Sequence, residues 1–195
     1  MTRLLATKRI GKTYSQDEAD SLRARKGWQF KQSEKNSVGW RRVVPSPNPI
    51  DILNKDVIET LARSGNIVIS AGGGGIPVFY DQQGNLRTVD AVIDKDMTSS
   101  LLAAEIGANE FYILTDVPFI YENFGLPGQK KLEFLNYSDT KMHLEKGTFG
   151  EGSMAPKIKA CLNFIERGGD KSIITEARKL ADKSFGSKIT KEYEL

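Results

Sequence analysis

Residues 66–80 read "NIVISAGGGGIPVFY". The run Ile67–Ser70 is apolar and β-branched, which predicts a buried strand, and Gly72, Gly73, Gly74 and Gly75 follow almost at once. Glycines placed directly after a buried strand let backbone N–H groups converge on an anion. The alternative is a tight turn with no ligand. The run is not a P-loop, because no Lys-Ser/Thr follows. It is not a GxGxxG fingerprint either, because Ile76-Pro77 follow instead of a helix.

Upstream, "TYSQDEADSLRAR" (13–25) predicts a short helix capped by Ser15, with Asp17 and Glu18 in its first turn. "GWQFKQSEKNSVGWRRVV" (27–44) reads as a hairpin. Trp28 and Phe30 alternate on one arm, Trp40 stands on the other, and "SEKNS" turns between them. "PSPNP" (45–49) is a stiff connector and the internal boundary, dividing residues 1–48 from 49–195. Beyond it, residues 51–64 predict a helix with Asp51 as cap, Leu53, Val57, Ile58 and Leu61 on one face, and Gly65 as stop.

Downstream of the glycines, residues 78–93 carry a hairpin around "DQQGN". A helix follows Asp96, with Leu102 and Ile106 inward and Gly107 as stop. Phe111–Leu114 is a strand, and Ser138 caps a helix ending near Gly147. Residues 156–167 form a longer helix with Ile158, Cys161, Leu162 and Ile165 as its core stripe. Ser172–Thr175 is a strand, Glu176–Lys183 a helix and "KITKEYEL" a last strand. Strand–helix alternation of this kind predicts an α/β fold with a mainly parallel sheet covered by helices.

Composition narrows the function. The chain has 195 residues, 39% hydrophobic and 27% charged, with net charge +3. That charge is too small, and its lysines too scattered, to argue for nucleic acid as a partner. No window of 18 apolar residues is present to span a membrane, and the basic N-terminus has no secretory core. One cysteine, Cys161, makes no internal disulfide and suits a reducing, cytoplasmic setting. One His and one Cys argue against zinc.

Three further stretches could carry chemistry. In "VIDKDMTSS" (92–100), Asp94, Lys95 and Asp96 sit where an extended segment becomes a helix, and a lysine there adds charge to an anion-attracting helix end. A solvated charge pair at an N-cap is the plainer reading. "GTFGEGSMAPKIKA" (147–160) is a glycine-rich loop running into a helix, with Lys157 in the first turn. An ordinary capped helix would look the same. In "ILTDVPFIYENFG" (113–125) a strand ends at Thr115-Asp116, where α/β sheets collect ligands, although Tyr121 and Phe124 could simply cover the sheet. Together these glycines, lysines and a carboxylate suit phosphoryl transfer, in which catalysis is positioning and charge neutralisation.

The motifs "TKRIG", "WRRVVPSPNPIDI", "ISAGGGGIPV", "AVIDKDMTSSLLA", "ILTDV", "NFG" and "GTFGEGSMAPKIKA", in this order, resemble the C-terminal two-thirds of carbamate kinase, within the amino acid kinase family. "RRVVPSP", "GGGGIPV" and "GSMxPK" separate it from acetylglutamate and uridylate kinase. The resemblance implies a three-layer α/β/α sandwich with a small protruding subdomain, matched by residues 8–45, and a nucleotide-binding domain over 49–195. It implies reversible phosphoryl transfer between ATP and carbamate, through carbamoyl phosphate and ADP, with Mg2+. By the same resemblance Lys8 reaches the transferred phosphate, Lys95 binds phosphate, Asp96 orients the lysines and Lys157 follows the nucleotide phosphates. Gly72–Gly75 lie beside the carbamoyl phosphate, and Thr115, Asp116, Tyr121, Gly152, Ser153, Met154 and Lys157 frame the nucleotide.

Two departures from the family pattern carry expectations. Arg9 stands where the family has proline, and Lys12-Thr13 replace its "PFY". The family's "GGNA" and "GNGP" loops have no counterpart before residue 8. The expectation is a chain that lacks an N-terminal acceptor segment and has little activity alone. It would pair with that segment or form the family's homodimer. The alternative is a non-catalytic nucleotide-binding or regulatory partner of an intact kinase.

Overall fold

A computed structural model describes residues 5–32, 39–149 and 154–192. The chain divides into two compact units, Met1–Asn48 with Gly73–Asp94, and Pro49–Gly72 with Lys95–Leu195. Gly73–Asp94, which the division at residue 48 leaves with the second part, clusters with the first.

The first unit is a three-stranded antiparallel sheet with a helix and a hairpin. Strands β1 (Ala6–Tyr14), β2 (Gln29–Gln32) and β3 (Trp40–Pro45) lie in the order β1-β3-β2. The sequence hairpin is therefore present, and its "SEKNS" turn lies outside the described residues. β1 precedes the helix and was not legible, because "ATKRIGKTY" has too many charges to alternate cleanly. Helix α1 (Gln16–Lys26) begins directly after Ser15, its expected cap, and β1 occupies residues up to Tyr14. Ser15 caps it, and Glu18 returns a bond to the Ser15 N–H at 2.9 Å. That backbone bond, with Lys12 nearby, holds the Glu18 carboxyl below the usual range. Val43, Val44, Phe30 and Ala19 form the small interior. Arg42 stacks on Trp28 at 3.8 Å and pairs with Asp90. The second hairpin, β4 (Val78–Tyr80) and β5 (Leu86–Thr88), turns through "DQQGN" as expected.

The second unit holds a four-stranded sheet, β6 (Glu110–Leu114), β10 (Lys171–Thr175), β11 (Ser187–Thr190) and β9 (Phe134–Asn136), in that spatial order. β6 and β10 are parallel, β11 and β9 are parallel, and β10 and β11 are antiparallel, so the sheet is mainly parallel. Between β6 and β9 the chain forms a small ribbon, β7 (Ile120–Glu122) with β8 (Lys130–Leu132), that the sequence did not signal. Helices α3 (Lys95–Glu105), α4 (Tyr137–Glu145) and α5 (Met154–Glu166) pack on the sheet. Ile158, Cys161, Leu162 and Ile165 of α5 meet Phe111, Ile113, Ile174 and Ile189 in one core, which bears out the predicted stripe.

Four expectations need correction. Ile67–Ser70 is not a strand: no strand is assigned there, and Ile67 and Ile69 are each 97% exposed. An apolar run becomes a strand only when a neighbour accepts its backbone bonds, and among the described residues no strand pairs with it. The helix expected from residue 51 is α2 (Lys55–Arg63). Asp51 instead accepts from the Ile52 N–H and the Lys55 ammonium, both at 2.8 Å, which stabilises a turn ahead of the helix. The cap of α4 is Asn136, not Ser138, because the Asn136 side chain accepts from the Asp139 N–H at 2.7 Å. The helix expected over Glu176–Lys183 shrinks to a 3-10 turn at Ala177–Lys179, as five charged residues in eight offer no apolar face to bury.

α2 also leaves its apolar face uncovered. Leu53, Val57 and Leu61 are exposed, Val57 by 62%, and none of the helix's own residues is buried. What holds α2 on the unit is polar: Lys55 reaches Asp51 and Glu105, each at 2.8 Å, which raises the ammonium's pKa, Asp51 contributing most.

Candidate functional site

In the second unit the candidate chemistry gathers on one carboxylate. Asp96 lies in the first turn of α3 and Lys157 in the first turn of α5. Lys157 Nζ lies 3.0 Å from Asp96 Oδ2, and Lys95 Nζ lies 2.6 Å from Asp96 Oδ1. One carboxylate thus holds two ammonium groups. The three side chains carry one net positive charge, and the N-terminus of α3 adds to the field. Lys157 and Asp96 keep only 13% and 12% of their side-chain surface in solvent, whereas Lys95 is exposed. A sheltered ammonium needs a partner, and Asp96 supplies it.

The positions of Asp96 and Lys157 follow from how α3 and α5 pack. Leu101 and Leu102 of α3 are buried, as are Ile158, Ala160 and Leu162 of α5. The buried Ser100 hydroxyl reaches the Met97 carbonyl at 3.0 Å and Asn163 Oδ1 at 3.2 Å, tying one helix to the other. Ser100 and Asn163 were not among the expected residues. Their sequence signal, a small polar residue within an amphipathic helix, is too common to single out.

The other expected residues sit as follows. Thr115 and Asp116 follow β6, with the Thr115 hydroxyl donating to Asp116 Oδ1 at 3.0 Å and the Thr115 N–H to the Thr175 carbonyl at 3.0 Å. Tyr121 lies in β7 between Phe119 and Phe124, at ring distances of 6.4 and 5.5 Å. Met154 opens α5 and packs on the core. Gly152 and Ser153 lie outside the described residues.

In the first unit Lys8 is on β1, and its Nζ lies 3.0 Å from Asp94 Oδ2. Asp94 is the first acid of "DKD", and its pairing with Lys8 was missed because 86 residues separate the two. Gly73, Gly74 and Gly75 belong to this unit and Gly72 to the other. A side chain built on Gly72, Gly73 or Gly75 would meet nothing within 4 Å, so backbone at these three is open to approach.

The residues fit a divalent cation only as something a ligand carries in. Among the described residues no group of three His, Cys, Asp or Glu side chains comes together. Mg2+ needs no such cage when phosphate oxygens and waters complete its shell.

A family model described as "Amino acid kinase family" matches residues 7–176. A carbamate kinase of Halobacterium salinarum is 48% identical over 172 residues, covering 87% of this chain and 54% of that protein. A carbamate kinase of Thermoplasma volcanium is 48% identical over 168 residues, 86% of this chain and 53% of that protein. Among solved structures, carbamate kinase from Giardia lamblia bound to AMP-PNP superposes with a TM-score of 0.85 at 37% identity, covering 96% of this chain and 60% of that one. The chain thus spans about half the length of the curated relatives it matches.

Proposed function

The chain belongs to the amino acid kinase family, and from that premise we propose that it is the phosphate-handling part of a carbamate kinase. The reaction is reversible: carbamoyl phosphate and ADP give carbamate and ATP. The observation that carries this reading is the sheltered pair Lys157–Asp96, with Lys95 on the second carboxylate oxygen.

Phosphoryl transfer demands that negative charge be met by fixed positive charge throughout. Lys157 and Lys95 release Asp96 and donate to phosphate oxygens as the nucleotide binds. Asp96 takes both ammonium groups back when product leaves. Lys8, held by Asp94, is the subdomain lysine for the transferred phosphate. Gly72–Gly75 lie beside the carbamoyl phosphate, with backbone open to approach at Gly72, Gly73 and Gly75. Thr115, Asp116, Tyr121 and Met154 frame the nucleotide, and a relative solved with AMP-PNP, an ATP analogue, supports that ligand class. Asp96 would be a carboxylate to hold Mg2+ brought in with the phosphates, whose charge the ion would neutralise.

The reading includes a second polypeptide surface. The bare face of α2 together with Ile67 and Ile69 is the kind of apolar surface that a folded enzyme covers. The proposal is that a further segment completes the sheet there and supplies the rest of the acceptor site. The same bare face favours a second reading, a nucleotide-binding partner of an intact kinase.

Calorimetry with ADP–Mg2+ tests the nucleotide role. Binding should weaken about tenfold or more in Lys157→Ala, the loss expected of a hydrogen bond to a charged group. Unchanged affinity would remove Lys157 from the site.

A further inference from the structure

The four glycines do not share one environment. A Cβ on Gly74 would lie 1.9 Å from the Ile93 carbonyl oxygen and 2.6 Å from its carbon, while its three neighbours face open space. The obstacle is backbone, so no rotamer change relieves it. Ile93 is bonded to Asp94, and Asp94 Oδ2 holds the Lys8 ammonium at 3.0 Å. All four residues belong to the first unit.

We propose that Gly74 is a positioning residue: its missing side chain lets the glycine run lie directly on the Ile93 carbonyl, which fixes the peptide bearing Asp94 and so the aim of Lys8. The run therefore has divided labour. Gly73 and Gly75 leave backbone open, and Gly74 is a structural stop. This inference rests on reading Lys8 as the lysine for the transferred phosphate. Adding one methyl at Gly74 must widen a 1.9 Å approach to at least 3.0 Å. A shift of that size in the Ile93–Asp94 peptide carries the Lys8 pair to the limit of ion pairing, about 4 Å.

Trace acetylation with mass spectrometric readout follows Lys8 directly, with exposed Lys31 as internal reference. Asp94→Asn should raise Lys8 labelling about two- to fivefold, the range of an exposed ion pair. Gly74→Ala should raise it as much, Gly73→Ala should not change it, and Gly74→Ala with Asp94→Asn should add nothing to either alone. Lys8 labelled at the wild-type rate in Gly74→Ala overturns the inference. If Gly74→Ala does not fold, wild-type labelling in Asp94→Asn overturns it equally. AMP-PNP–Mg2+ separates the two readings. Absence of Lys8 protection by the nucleotide, with the variant pattern intact, would refute the phosphate role of Lys8 and leave the role of Gly74 standing.

Discussion

Asp96 decides what the two lysines can do. Its carboxylate is the counter-charge for Lys157 and Lys95 together, so Asp96→Asn leaves a sheltered ammonium without its anion. The expected result is a stability loss of about 1–3 kcal/mol in urea unfolding, with partial recovery on adding inorganic phosphate. Loss without any response to phosphate would show the site to be structural only. Cys161 illustrates a different residue-scale effect. Burial pushes its thiol up to about 12. The unfolded chain ionises that thiol first, so stability present below the ordinary thiol pKa is lost as pH rises toward the folded value. Wild type should lose about 2 kcal/mol more than Cys161→Ala between about pH 8 and pH 10. Parallel pH profiles would contradict the buried, neutral thiol.

The contrast between two amphipathic helices sets the element scale. Both α5 and α2 show an apolar stripe in sequence, and only α5 buries it. Ile158→Ala should cost about 2–4 kcal/mol, because Ile158 is fully enclosed. Val57→Ala, at 62% exposure, should stay within about 0.5 kcal/mol. Equal costs in chemical denaturation would mean that the α2 face is covered after all. The same contrast explains how much was legible. The periodicity of α5, the Ser15 cap and the "DQQGN" hairpin are local signals, and each was read correctly. Lys95, Asp96 and Lys157 could be listed from their motifs. Lys95 and Asp96 are neighbours in the chain, but the contact of Lys157 with Asp96 depends on α3–α5 packing, which no short window encodes; it was expected only from the resemblance. Ile67–Ser70 failed for the opposite reason: its local pattern is that of a strand, but a strand is made by its neighbours.

At the scale of the whole molecule, the core of the second unit is closed by α3, α4 and α5 on the sheet, while the side bearing α2, Ile67 and Ile69 stays open. β6 ends the described sheet on one side, and an edge strand favours pairing with another segment. Val57→Lys should leave the chain folded and abolish its association with such a segment, read by analytical ultracentrifugation; association unchanged would place the contact elsewhere. The most direct measurement is ATP formation from carbamoyl phosphate and ADP–Mg2+ by the purified 195-residue chain. It would be run alone and after refolding with the part of a carbamate kinase relative that this chain does not match. The account predicts little or no ATP from the chain alone, and turnover on complementation that Lys157→Ala abolishes. Robust ATP formation by the chain alone, or complemented turnover indifferent to Lys157, would contradict it.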